Sequence, residues 1–236
     1  LLLATDAGLG NVETPIFPVQ IFKVKEGVNY NPGDPNYDLF RLAMQVSAKR
    51  LFPNFSFLDA PFNLQYYKPG DYDSEVAYMG CRTRVIGNVY DRSRETTCGR
   101  GNLSFTSINL PRLGIEAKGD MDRFYRLLDD RIDMVIRQLL HRFKIQCSKK
   151  VYNYPFLMGQ GVWIGSEKLG PQDSVAEVLK HGTLSVGFIG LAECLTALTG
   201  KHHGESDESQ KLGLEIIGHM RQRLDEESQQ RGLNFT

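Results

Sequence analysis

The order of apolar runs along these 236 residues predicts an α/β fold with a largely parallel sheet or barrel. Three observations carry that prediction. Short β-branched and aromatic runs alternate with helix-period segments, first as strand–helix–strand and later as strand–helix–strand–helix–strand–helix–strand. Two segments, 120–143 and 207–230, place apolar residues on one helical face through many turns. Between the two alternating series lies a stretch, 60–102, with no helical period, which in a domain of this size points to function.

In chain order, residues 14–24 are apolar and β-branched, and Pro15 and Pro18 give them an edge or irregular start. Turn chemistry fills Asn29–Pro35. A helix is expected from Asn36 as N-cap, with Leu39, Phe40, Ala43, Met44 and Leu51 on one face and Pro53 beyond its end. Phe55–Leu58 reads as a short strand, and Arg84–Tyr90 as a strand leaving the long loop. Leu103–Leu110 is a buried strand with polar residues on one face, closed by Pro111. The clearest helix starts at Asp120 and buries Phe124, Leu127, Leu128, Ile132, Val135, Ile136, Leu139, Leu140 and Phe143. His141, Arg142 and Lys144 complement the dipole at its end. Val151–Met158 is β-like. Ser174–Glu177 is a capping box opening a short helix that stops at Lys180–Gly182. Thr183–Ile189 is a strand, Leu191–Leu198 a helix closed by Gly200, and 207–230 a helix with Leu212, Ile216, Met220 and Leu224 inward and Gly232 at its end.

Apolar content of 41%, charged content of 24% and a formal net charge of zero describe a globular chain and lend no support to a nucleic-acid or membrane partner. No apolar run reaches the ~18 residues of a membrane span. Leu1–Leu3 is too short for a signal sequence. Four cysteines, none in C-x-x-C spacing, fit a reducing, cytoplasmic setting better than a disulfide framework. The chain lacks an initiator Met and stops where Leu233–Thr236 begins to read as a strand, so a fragment of something longer is expected.

The chemistry centres on Met79-Gly80-Cys81-Arg82-Thr83-Arg84. Cys81 either packs as a small hydrophobe or is carried outward on a turn that Gly80 allows. The two arginines suit a thiolate or an anionic substrate. Val186–Glu193 is a strand–Gly–helix passage that can offer N–H groups to a phosphate, although close strand–helix packing explains its glycines equally well. Lys201–Ser206 holds adjacent histidines but no third ligand at metal spacing, so a polar loop capped at Ser206 is the better reading. Asn102 stands at a strand entrance, where Asn is commonly turn chemistry. Cys194 belongs to a core. No Ser-His-Asp order, H-E-x-x-H or paired-carboxylate motif stands out.

The stretches PNYDLFRLA, KRLFPNFSFLD, SEVAYMGCRTRV, GRGNLSFTSINLPRLGIEA, NYPFLMGQGVWIGSEKL, HGTLSVGFIGLAECL and GKHHGES resemble the anaerobic (class III) ribonucleoside-triphosphate reductase large subunit from about Thr14 to Thr236. The resemblance implies a ten-stranded α/β barrel of glycyl-radical type with a central finger loop. The chain would then be a single catalytic-barrel fragment, lacking the N-terminal nucleotide-sensing domain and the C-terminal glycyl-radical segment. It implies that Cys81 becomes a thiyl radical that removes the 3′-hydrogen of a ribonucleotide. Loss of the 2′-hydroxyl as water follows, and formate or a thiol protein is the reductant. Asn102 would face the ribose hydroxyls, and Met79 would set a thioether near the radical centre. Ser107 and the turn Gly187, Phe188, Ile189 and Gly190 would contact substrate. The arginines at 82 and 84 then fix the loop or attract an anionic nucleotide rather than activate a thiolate. Zinc is expected in the C-terminal segment and no metal in this one. A radical S-adenosylmethionine activating enzyme and a second subunit are the expected partners, and the fragment alone is expected to be inactive. Two other readings remain: a pyruvate formate-lyase type glycyl-radical enzyme, and a non-catalytic nucleotide-binding fragment.

Overall fold

A computed structural model describes residues 1–236 apart from 9, 11, 15, 79, 81 and 82. The chain forms two compact units, residues 1–86 with 96–98, and residues 87–95 with 99–236.

The first unit contains α1 (Leu2–Ala7), β1 (Ile21–Val24), α2 (Tyr37–Arg50), β2 (Asn54–Phe57) and the single turn α3 (Pro61–Leu64). β1 and β2 pair in parallel, Ile21 opposite Asn54 through Val24 opposite Phe57, with α2 as the crossover between them. Phe40 on α2 meets Phe22 and Phe55 at centroid separations of 6.2 and 5.9 Å, so an aromatic cluster joins the helix to both strands. Asn36 starts α2, yet its side chain makes no capping bond. Residues 60–102 hold little more than α3 and two 3-10 turns, 72–74 and 92–94, each begun by an aspartate, Asp71 or Asp91, that accepts from the backbone two residues on. Residues 84–88 carry no strand, contrary to the expectation for Arg84–Tyr90.

The second unit contains β3 (Asn102–Asn109), α4 (Leu110–Ala117), α5 (Met121–Cys147), α6 (Ala176–Leu179), β4 (Thr183–Ile189), α7 (Leu191–Thr199), α8 (Asp207–Arg231) and β5 (Asn234–Phe235). The sheet runs β3-β4-β5 with both pairings parallel. Four of the caps read from the sequence are present: Asp120 accepts from Arg123 N, Ser206 from Ser209 N, and Gly200 and Gly232 end their helices left-handed. The capping box expected at Ser174–Glu177 does not form: α6 starts after Val175 with no side-chain cap, and Ser174 Oγ only accepts from Ala176 N at 3.2 Å. Pro111 does not merely close β3. It sits in the first turn of α4, capped by Asn109 accepting from Arg112 N at 3.2 Å, where a missing N–H costs nothing. Gly114 lets α4 approach α7: a Cβ there would lie 2.9 Å from the Cys194 carbonyl oxygen.

Helices cover one face of this sheet. Ile108, Leu110, Leu184, Val186 and Phe235 join Phe124, Leu128, Ile132 and Leu139 of α5, and Ile216 and Met220 of α8, in one core. Cys194 is fully buried within it, and burial pushes its thiol up to about 11. The free edge of β3 is protected as well. Arg142 donates to the Phe105 carbonyl at 3.0 Å and Gln146 to the Leu103 carbonyl at 2.9 Å, covering edge acceptors that would otherwise invite another strand. Arg142 thus serves the sheet edge, while α5 itself runs on to Cys147. Residues 151–158 are not a strand. Val151 and Met158 instead help build a second small core with Trp163, Val175, Val178 and Leu179, and the Trp163 indole donates to the Val178 carbonyl at 2.7 Å. No described helix is long and apolar enough to cross a membrane.

Candidate functional site: the open face of the parallel sheet

Strand alternation puts Leu184 and Val186 into the core and leaves Thr183, Ser185, Gly187 and Ile189 for the other face. On β3 the pairing shifts register between Asn102 and Ser104, a bulge that re-aims the strand entrance. Asn102, Phe105, Ser107 and Asn109 are exposed there. Ser107 stands opposite Gly187, and its Oγ lies 2.8 Å from where a Cβ on Gly187 would be. The glycine therefore keeps that part of the face flat beside a hydroxyl.

Asn102 is the most elaborated position on this face. Thr183 Oγ1 donates to its Oδ1 at 2.9 Å and Ser185 Oγ at 2.7 Å. Below it, a buried network fixes the strand entrance. Arg100 Nε donates to the His181 carbonyl at 2.8 Å and its guanidinium to the Gly87 carbonyl at 2.9 Å. Burial pulls this guanidinium down to about 10. Asn88 Nδ2 meets His181 Nδ1 at 3.0 Å. Desolvation, then the Arg94 charge, hold the imidazole below its ordinary value, which keeps Nδ1 free to accept. Asn234 closes the network: its Oδ1 accepts from Val89 N at 2.7 Å, and its Nδ2 reaches the Lys180 carbonyl at 3.0 Å. Thr183 N then donates to the Gly101 carbonyl at 3.0 Å. Thr183, Ser185, Arg100, His181 and Asn234 do not stand out in the sequence as site-building residues. The Thr-x-Ser alternation on a strand was the available signal.

The strand–Gly–helix passage divides by face. Gly187 and Ile189 lie on the open side. Phe188 lies in a groove with Ile217, Met220, Leu224 and Phe235 against α8. Gly190 is left-handed at φ 74°, and a Cβ there would stand 2.3 Å from the Pro111 ring, so close packing alone requires this glycine. With a rise of about 3.3 Å per residue, Gly187 lies roughly 13 Å along β4 from Thr183, the partner of Asn102, and Gly190 roughly 23 Å. A ligand centred at Asn102 reaches Ser107 and Gly187 before it reaches the start of α7.

Cys81, Met79 and Arg82 lie outside the described residues. Among the described residues, no group of three or more His, Cys, Asp or Glu side chains is placed to hold a metal ion. His202 Nδ1 accepts from Gly204 N at 3.0 Å, which makes it part of its own turn.

The family model described as anaerobic ribonucleoside-triphosphate reductase matches residues 1–236. The chain belongs to this family. Among curated relatives, the anaerobic ribonucleoside-triphosphate reductase of Haemophilus influenzae is 34% identical over 233 residues, covering 97% of this chain and 31% of that protein. The Escherichia coli relative is 32% identical, covering 98% and 32%, and that of Enterobacteria phage T4 is 29% identical, covering 94% and 35%. The chain thus spans about a third of the length of the family members it matches. The fold is similar to that of the Thermotoga maritima anaerobic ribonucleotide reductase solved with citrate in its active site, at a TM-score of 0.55 and 15% identity over 93% of this chain and 35% of that one. The same enzyme solved with dATP and CTP gives 0.52 at 16% identity, over 93% and 32%.

Proposed function

We propose that the protein containing these residues reduces ribonucleoside triphosphates to deoxyribonucleoside triphosphates, and that this chain contributes to its catalytic barrel. The family match along all 236 residues carries the reading. In the whole protein these strands would belong to a ten-stranded α/β barrel with a finger loop bearing Cys81. A nucleotide-sensing domain would precede them and a glycyl-radical segment would follow.

Cys81 is assigned the hydrogen abstraction. Its sulfur takes the 3′-hydrogen of the ribose, so a C–H bond breaks and an S–H bond forms. The 2′-hydroxyl then leaves as water, and formate or a thiol protein supplies the reducing equivalents. A glycyl radical carried outside these residues would supply the unpaired electron. The assignment to Cys81 rests on the resemblance carried by SEVAYMGCRTRV; of the described cysteines, Cys194 is sealed in the core, Cys147 is half-buried and Cys98 is exposed. Met79 is assigned a thioether beside the sulfur. Asn102 is assigned to the ribose hydroxyls, and its place on an uncovered sheet face supports this. Ser107 and the backbone of Gly187, Phe188, Ile189 and Gly190 are assigned to substrate, with Gly187 favoured for the phosphates by the strand spacing. Nothing among the described residues fits zinc, and no step here uses it. A radical S-adenosylmethionine activating enzyme, a homodimer and a cytoplasmic location complete the proposal.

The test is Cys81→Ser in the full-length protein, activated anaerobically. Deoxynucleotide formation should fall below detection while ribonucleoside triphosphate binding persists. Reduction at the native rate would remove the radical role. Absence of ribonucleotide binding in the native protein would favour a glycyl-radical enzyme of pyruvate formate-lyase type.

A further inference from the structure

The side-chain carbonyl of Asn102 is engaged twice, and both partners come from the neighbouring strand. Thr183 and Ser185 sit two residues apart on β4 and therefore on the same face, so their hydroxyls straddle one amide. Thr183 is only 2% exposed, and a buried hydroxyl proton has to find an acceptor. Asn102 Oδ1 is the acceptor it meets. As a β-branched residue in a strand, Thr183 has little χ1 freedom, so its hydroxyl is aimed before any ligand arrives. With Oδ1 committed to both hydroxyls, the amide can turn only its two N–H bonds outward. Among the described residues no acceptor meets Nδ2.

We propose that Thr183 and Ser185 are positioning residues that lock the Asn102 amide with its donors facing the open side of the sheet. The position then recognises lone pairs on a hydroxyl-bearing ligand and gives nothing to a ligand that can only donate. This rests on the reading of Asn102 as the group facing the ribose hydroxyls, and it adds what holds that group and which way it points. An amide free to turn over would present its carbonyl half the time; turning it here would leave the buried Thr183 hydroxyl proton without the acceptor it has in Asn102 Oδ1.

The experiment is a double-mutant cycle in the full-length, anaerobically activated enzyme. Thr183→Val, Ser185→Ala and their combination are made with Asn102 intact and again with Asn102→Ala. The readouts are kcat and KM for a ribonucleoside triphosphate, ribonucleotide affinity of the unactivated protein, and thermal midpoint. The affinity cycle reports even where a variant turns over too slowly to follow. Removing both hydroxyls with Asn102 intact should lower kcat/KM by about 10–100-fold, by analogy with the groups that orient metal ligands. The swap Thr183→Ser with Ser185→Thr should recover most of it. In the Asn102→Ala background the hydroxyl deletions should change neither activity nor affinity, because they act only through that amide. Equal losses in both backgrounds, or no loss where Asn102→Ala itself is impaired, would overturn the positioning role alone. Full activity and affinity in Asn102→Ala would instead overturn the reading of Asn102, and the positioning role with it.

Discussion

Among the described residues of the second unit, Asn234 makes four side-chain hydrogen bonds, and replacing it gives a graded prediction. Its Oδ1 accepts from Val89 N at 2.7 Å. Its Nδ2 faces three acceptors, the Lys180 carbonyl at 3.0 Å, Asn88 Oδ1 at 3.2 Å and the Gly182 carbonyl at 3.3 Å. Asn234→Ala deprives the part-buried Val89 N–H of its acceptor, at up to about 1–3 kcal/mol. Each oxygen deprived of its donor adds a smaller amount, so the total should be about 2–4 kcal/mol. Asn234→Asp keeps the shape and the Val89 acceptor but sets a carboxylate oxygen against three other oxygens. That carboxyl must hold a proton to remain folded, so its folded value lies above its unfolded value of about 3.9. Such a group stabilises below the unfolded value, and its contribution is lost as pH rises. Asn234→Asp should therefore be mild near pH 4 and worse than Asn234→Ala at pH 7. The assay is urea unfolding followed by the single tryptophan, Trp163, with hydrogen exchange at the Val89 amide as the local probe. Native-like stability of Asn234→Asp at pH 7, or a pH-independent loss, would refute the assigned donor and acceptor pattern.

Gly190→Ala should destabilise by about 2–4 kcal/mol, combining a left-handed alanine with overlap against Pro111; a loss under 1 kcal/mol in the same unfolding assay would mean that α7 can shift. Because the folded imidazole of His181 sits below its ordinary value of 6.5, the unfolded chain binds the extra proton first. Its stabilisation is therefore complete above pH 6.5 and lost as pH falls below it, and His181→Gln should flatten that limb of the stability curve. Arg142→Ala with Gln146→Ala should expose the β3 edge and raise concentration-dependent aggregation, read by light scattering, and unchanged solubility would show that other groups protect the edge. Gly187→Val should weaken ribonucleoside triphosphate binding more than Ile189→Val, since only the former crowds Ser107, and equal effects would dissociate Gly187 from the ligand.

The parts of the fold that depend on local spacing could be read before any coordinates. α5 and α8 announce themselves by apolar period and by Asp120, Ser206 and Gly232 at their ends, and β4 by its β-branched run between glycines. What stayed hidden depends on distant partners. Pro111 and Gly114 look like breakers in a one-dimensional string. Pro111 is tolerated because it falls in the first turn of α4 under the Asn109 cap, and Gly114 is needed because α7, eighty positions later, crosses there. Val151–Met158 has strand composition but no strand to pair with, and packs round Trp163 instead. Within the site, Asn102 is singled out by the resemblance that GRGNLSFTSINLPRLGIEA carries, whereas its partners Thr183 and Ser185 follow only from the register of β3 on β4. The residues given the central chemistry, Cys81 and Met79, lie outside the described part of the chain.

The parallel pairing of β3 with β4 has a consequence for how the chain is made. Asn102 and its partner Thr183 are 81 residues apart. At the ~5–20 residues per second of ribosomal synthesis, β3 waits roughly 4–16 s for its neighbour to emerge. Of the long helices that share its core, α4 and α5 are made in that interval, whereas α7 and α8 are not. Newly made chains should therefore be most dependent on chaperones when synthesis is halted between residues 150 and 180.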